Sequence, residues 1–453
     1  MKASVLDLLV KGGTLVTPHG LVRADLAIAE GRFAAVSPAV STRARRVIDA
    51  DGMHVFPGVI DAHVHFNEPG RAGWEGLATG SAALAAGGGT CFFDMPLNSE
   101  PPVLDAARLR EKRRLGERKS RTDFALWGGL VPGNLDRLDG LRDAGAIGFK
   151  AFMSESGIAS FPRVDRAALR AGMKRAARLG LPVAVHAEDE ARAAALTRAL
   201  RDAGRADAAA YLRSRPPAVE IAAIREALEI AGETGCALHI VHVSTPEGIA
   251  LVAAAKARGV DVSAETCPHY LLLNASAPLE LGAVAKCAPP LRSEGRRRGL
   301  WAALRAGRID TLGSDHSPAP PALKRDPDYF ALWGGIAGVQ HGFELLVDAT
   351  RASAGRDWPR LASASSLAVA RRFRLRGKGA LAPGFDADFF LVSTAPTRTV
   401  TAAELLTRHA LSPYVGRPSR VRIARTFVRG VEVWADGRLT PRCPRGHFLS
   451  PSP

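Results

Sequence analysis

The segment Gly58-Val59-Ile60-Asp61-Ala62-His63-Val64-His65 decides the fold, because an apolar run of strand length ends there in reactive side chains. The same rhythm recurs at residues 90–94, 124–127, 147–150, 182–186, 238–242, 260–265 and 311–315, each run followed by a helical pattern. The helical stretches are rich in Ala and Arg, as in 166–178 and 220–231. Eight strand–helix units in succession predict an α/β protein built on a (β/α)8 TIM-like barrel, whose functional groups cluster at the carboxyl ends of the strands. A doubly wound open sheet also alternates strand and helix. The barrel is preferred because polar residues end the strands along the entire series.

Outside this series the idiom changes. Residues 6–10, 14–17, 26–30 and 33–36 read as short strands around the Lys11-Gly12-Gly13 turn and Gly31. Residues 388–392 and 426–434, punctuated by Gly430 and Asp436-Gly437, return to the same pattern. The expectation is a small β-sandwich domain assembled from residues 1–55 and 380–442, a barrel over 56–379 and a loose tail over 443–453.

The composition, 453 residues with 47% hydrophobic and 23% charged, suits a folded chain with a sizeable core. A formal charge of +16 leaves nucleic acid or an anionic surface open as partners. Yet Lys112-Arg113-Arg114 and Arg296-Arg297-Arg298 lack interleaved aromatics and read as solvated faces. The five cysteines, Cys91, Cys236, Cys267, Cys287 and Cys443, include no Cys-x-x-Cys pair, which disfavours a disulfide framework or a cysteine zinc site. No signal peptide or membrane span is read, so a cytoplasmic protein is expected.

His63 and His65, two apart on a strand, face the same side and can grip one metal ion. His186 and His242 end two further strands and Asp315 ends the last. Four histidines and an aspartate on one rim predict a metal site, zinc by ligand type with cobalt, manganese or iron as alternatives. Lys150 alone would read as a snorkelling side chain or an acid's partner. Beside two cations, its neutral amine can combine with CO2 and bridge them as a carbamate.

The segments Asp61–Gly70, Gly148-Phe149-Lys150-Ala151-Phe152, Val185-His186-Ala187-Glu188, Ile240-Val241-His242-Val243-Ser244, Glu265-Thr266-Cys267-Pro268-His269-Tyr270 and Gly313-Ser314-Asp315-His316-Ser317-Pro318 together resemble the binuclear amidohydrolase superfamily. Among its cyclic-amide hydrolases the chain is most similar to the allantoinase family, over essentially its whole length. That resemblance implies that His63, His65 and Asp315 bind one metal, His186 and His242 a second, and N6-carboxylated Lys150 both. It also implies that Asp315 takes a proton from the attacking hydroxide and delivers it to the ring nitrogen. The activity implied is hydrolysis of the hydantoin ring of allantoin to allantoate, in purine and ureide catabolism.

Departures at single positions weigh the sister activities. Dihydroorotases carry a carboxylate-clamping arginine where Asn67 stands, and asparagines where Leu97 and Ala288 stand. Hydantoinases and dihydropyrimidinases place a tyrosine where Glu155 lies, leaving the oxyanion donor unassigned. The segments around Asn67, Met95-Pro96-Leu97-Asn98-Ser99, Ser154-Glu155-Ser156-Gly157, Lys286-Cys287-Ala288-Pro289-Pro290 and Trp333-Gly334-Gly335 all look allantoinase-like. For a neutral substrate, Asn67, Ser317 and groups around Cys287 and Gly335 are the candidate contacts, with Glu155, Asn98 and His269 as supporting or substrate residues. A hydantoinase-type enzyme is the alternative activity, and a catalytically silent scaffold the non-enzyme alternative. The partner expected is a small molecule, with no nucleic acid and no membrane, in a homotetramer or homodimer.

Overall fold

The alternating apolar pattern of the first residues becomes five strands, β1 (Leu6–Thr17), β2 (Gly20–Ala29), β3 (Arg32–Ser37), β4 (Ala44–Asp49) and β5 (His54–Pro57). The structure, a computed structural model, describes residues 5–353, 355–441 and 445–452, so Cys443 lies outside the described residues. β1 pairs antiparallel with β2 and parallel with both β4 and β5, its register shifting between Val10 and Gly13. Leu8, Val10, Leu15, Leu26, Ile28, Phe33 and Val55 turn inward to form a separate small core.

Next come the barrel strands β6 (Val59–Val64), β7 (Gly89–Asp94), β8 (Asp123–Leu126), β9 (Gly128–Gly129), β10 (Phe149–Phe152), β11 (Val183–His186), β12 (Leu238–Ile240), β13 (Val262–Thr266) and β14 (Thr311–Leu312). All their pairings are parallel, β9 continuing β8 past Trp127. The ring closes where the His65 N–H donates to the His316 carbonyl at 2.7 Å and Val64 bridges His316. The eight expected strands are therefore present, as a barrel rather than an open sheet. Its outer helices carry ordinary signals: Asp165 caps helix Arg166–Leu179 by accepting from the Ala168 N–H, and Gly180 ends it at φ 66°. Lys112, expected on a solvated face, is instead fully buried, its ammonium 3.0 Å from Asp94 at the end of β7. Helical spacing places it inward with Leu109 and Gly116.

The chain then returns to the terminal sheet through β15 (Phe389–Thr399), β16 (Pro418–Val428), β17 (Val431–Ala435) and β18 (Arg438–Leu439), giving a nine-stranded sheet in which β15 lies against β5. Buried Lys378 ties this domain to the barrel, its ammonium 2.5 Å from Asp123 on β8, 2.9 Å from Asp386 and 2.7 Å from Asp388. The tail expected to be loose is packed over its described residues: Phe448 bridges Phe124, with ring centroids 5.6 Å apart, and Leu449 N–H donates to the Phe124 carbonyl. Burying one large aromatic residue outweighs the tail's polar, proline-containing composition.

Candidate metal centre

Asp61 draws the first and last barrel strands together, its Oδ1 accepting from the N–H of His63 (3.1 Å) and of Ser314 (3.0 Å). Gly313 permits this approach, since a Cβ there would come within 2.5 Å of Glu265 Oε2. Asp315 follows at φ 46°, and His242 turns at φ 41°, so both leave their ladders just beyond the strand ends and enter the barrel mouth.

His63 stands between two carboxylates, Nδ1 2.8 Å from Glu265 Oε1 and Nε2 3.1 Å from Asp315 Oδ1. His65 places Nε2 3.5 Å from the same Asp315 oxygen and Nδ1 3.2 Å from Asn98 Nδ2. Ligand atoms of His63, His65 and Asp315 thus lie within 4.8 Å of one another. His186 and His242 form the neighbouring pair, ring centroids 4.6 Å apart, with His242 also 5.3 Å from His63. Glu188 holds His186 Nε2 at 2.8 Å, and Phe152 stacks on the same ring. Lys150, the second residue of β10, lies among them, fully buried, its Nζ without a hydrogen-bond partner and 4.8 Å from the Phe152 ring centroid.

Electrostatics follow from this packing. Burial pushes the Lys150 amine down to about 8 and the His65 imidazole down to about 4. Burial raises the Asp315 and Glu265 carboxyls, but neighbouring histidines outweigh it. Asp315 is held well below the usual range by His63, His65 and His242, and Glu265 is brought to about 2 by His63 and His239. Outer nitrogens of His63, His65 and His186 are fixed by protein partners, whereas Lys150 Nζ and His242 Nδ1 are buried without any. Orphaned buried donors and acceptors are costly. Imidazoles backed by carboxylates or an amide, facing one inner carboxylate, fit the coordination of divalent cations. Asp123, Asp386 and Asp388 also cluster, but Lys378 already sits among them.

A family-wide sequence profile described as the amidohydrolase family matches residues 54–433. The chain belongs to the amidohydrolase family. It is 50% identical to the allantoinase of Solibacter usitatus over 98% of this chain and 97% of that one, and 48% identical to that of Deinococcus radiodurans over 98% and 99%. Among solved structures, the L-hydantoinase (dihydropyrimidinase) from Arthrobacter aurescens superposes with TM-score 0.95 at 34% identity, covering 98% of this chain and all of that one.

The amidohydrolase cavity is lined by His63, His65, Lys150, His186, His242 and Asp315, and also by Asn98, Ser317, Gly335 and Glu155. Three sequence candidates fall outside the lining. Asn67 is buried and donates from Nδ2 to the Pro318 carbonyl at 3.3 Å, bracing the loop after Asp315. The Cys287 side chain is buried away from the cavity, its carbonyl held by Tyr211 OH at 2.9 Å, while Ala288 beside it faces in. His269 is wholly buried, with neither ring nitrogen hydrogen-bonded. Glu155 sits at the rim, its side chain 64% exposed and 3.3 Å from Arg163, which suits no oxyanion donor. Sequence reading assigned no role to Glu188, Glu265, Arg215 or Trp333. Glu188, Glu265 and Trp333 stood inside recognised segments, whereas Arg215, before Pro216-Pro217, reaches the cavity only through tertiary structure.

Proposed function

We propose that this amidohydrolase is an allantoinase, opening the hydantoin ring of allantoin by hydrolysis of a ring amide to give allantoate. The observation that carries the chemistry is Asp315, a carboxylate held ionised 3.1 and 3.5 Å from two imidazoles and facing a buried, unpartnered lysine. The near-full-length likeness to allantoinases supports the substrate. His63, His65 and Asp315 would hold one divalent cation and His186 and His242 a second, and Lys150, carboxylated at Nζ by CO2, would supply a further anionic ligand. Zinc is the ion the nitrogen and oxygen donors favour.

Divalent cations bound at this site would supply water acidified toward a pKa of about 7 and would polarise the ring carbonyl. The protein does the rest. The lowered basicity of Lys150 keeps part of its amine neutral near physiological pH, the form that combines with CO2 and releases a proton. Asp315 accepts the proton of the attacking water and returns it to the ring nitrogen as the C–N bond breaks, so one carboxylate serves as base and then acid. Glu265, Asn98 and Glu188 keep the imidazoles oriented. Ser317, Ala288 and Gly335 border the ring-binding space; a side chain on Gly335 would strike the Ser317 carbonyl.

Hydrolysis assays of the metal-loaded protein on allantoin, hydantoin, dihydrouracil and dihydroorotate, with metal analysis, test this reading. Allantoin should be the best substrate, with two metals per chain. Turnover of hydantoin or dihydrouracil with none of allantoin would overturn it in favour of a hydantoinase, the reading that the L-hydantoinase likeness favours.

A further inference from the structure

We infer that Trp333 is a specificity residue, whose indole N–H donates a hydrogen bond to the carbonyl oxygen of the substrate's ureido arm. The inference rests on the allantoinase reading. Four other tryptophans satisfy their indole N–H within the protein: Trp127 donates to Ala62 O at 3.0 Å, Trp301 to Leu271 O at 2.8 Å, Trp358 to Val347 O at 3.2 Å and Trp434 to Ile423 O at 3.2 Å. Trp333 departs from this pattern. Its Nε1 is buried without a protein acceptor, and the residue lines the cavity that holds Asp315 and Lys150. A buried donor left unmade is destabilising, so a position that retains one invites an acceptor from outside the chain.

The donor is also unable to wander. The Trp333 N–H donates to the Leu323 carbonyl at 2.9 Å, and its own carbonyl accepts from Lys324 Nζ at 2.9 Å. Lys324 takes the Gly335 carbonyl as well, at 2.8 Å, while buried Lys286 takes that of Leu332. The indole packs edge-on against Trp74, centroids 4.8 Å apart. Clamping on both sides of the residue makes the N–H a preorganised donor. It comes from a loop beyond the barrel strands, whereas the reacting ring amide must lie at the strand-end groups around Asp315. The part of the substrate that extends from the ring toward the loops is the ureido arm, whose carbonyl is an acceptor that unsubstituted hydantoin lacks.

The test compares wild type and Trp333→Phe, both full-length and metal-loaded, on allantoin and on unsubstituted hydantoin. Phe retains the ring packing and removes only the donor. The ratio of kcat/KM for allantoin to that for hydantoin should fall about tenfold, mainly through KM, as expected for loss of one ground-state hydrogen bond. An unchanged ratio, including equal losses on both substrates, would overturn the assignment. A second measurement needs no variant: wild type should prefer allantoin over its thioureido analogue, whose sulfur is a poor acceptor, and equal kcat/KM would likewise overturn it. Wild type that fails on allantoin sinks the allantoinase reading itself, whereas allantoin turnover with an unchanged ratio sinks only the role of Trp333.

Discussion

Arg215 donates through Nη1 to Glu188 Oε2 at 2.6 Å, and that same oxygen lies 2.8 Å from His186 Nε2. A cation at the cavity wall thereby fixes the charge of the carboxylate that orients a candidate metal ligand. Burial raises the Glu188 carboxyl, yet Arg215 and His186 outweigh it and bring it to about 2. Glu188→Gln should keep the shape and lose the charge, weakening metal binding at His186 by about 10- to 100-fold. Metal titration of the apo protein reads this directly; unaltered affinity would remove Glu188 from the centre.

Asp315→Asn should retain the fold and some metal while removing the proton acceptor. We expect kcat to fall about 10²- to 10⁴-fold, the range for loss of a general acid–base group. Steady-state assays beside metal analysis separate loss of chemistry from loss of cations. A variant with wild-type kcat would exclude Asp315 as the base.

Lys150→Ala removes the buried, unpartnered amine. The expected outcome is loss of at least one cation and more than about 100-fold of activity, since a metal-bridging group should matter more than a supporting partner. A short carboxylic acid added to the assay should restore part of both by filling the space of the missing carbamate. Full activity without additive would contradict a bridging role.

Acidification should destabilise the chelated protein, because burial pushes His65, His269 and His341 down to about 4, so the unfolded chain takes up protons near 6.5 before the native state does, and Glu344 opposes them. Burial raises the Glu344 carboxyl to about 7 despite Arg398, so the native state binds a proton there before the unfolded chain does. The contribution of Glu344 alone therefore rises as pH falls from about 7 toward 4.5, the ordinary glutamate value, and offsets part of the loss at the histidines. Glu188 and Glu265, at about 2, act oppositely: their contribution is present above 4.5 and lost as pH falls through 4.5 toward 2. Thermal melts across pH 3–8 of wild type and Glu344→Gln isolate this group: the variant should lose stability more steeply as pH falls from about 7 toward 4.5. Parallel pH profiles for the two proteins would refute the Glu344 assignment.

Lys378→Met should destabilise the protein by about 3–5 kcal/mol, because it strips buried Asp388 of its cation and leaves Asp123 to Arg429 alone. Asp123 and Asp388 are both almost fully buried beside the ammonium. Chemical denaturation measures the loss. Recovery of wild-type stability on adding a divalent cation would instead mark the aspartate cluster as a metal site.

The sequence by itself determined the barrel, the terminal strands and the six groups at the barrel mouth. Strand-length apolar runs ending in His63, Lys150, His186, His242 and Asp315 carry that information locally, because a side chain's place in its strand follows from its neighbours. Tertiary structure decided what surrounds those groups. Asn67 and Cys287, adjacent in sequence to lining segments, turn away to brace loops, while Arg215 enters from an element whose local pattern carries no trace of the cavity. Lys112 reads as surface yet pairs with Asp94 inside, and the tail reads as loose yet docks Phe448 on Phe124. In each case the energy comes from a partner distant in the chain: a buried ion pair, an aromatic contact or a hydrogen bond between loops. Such partners meet only after the barrel has closed, so a linear pattern cannot announce them.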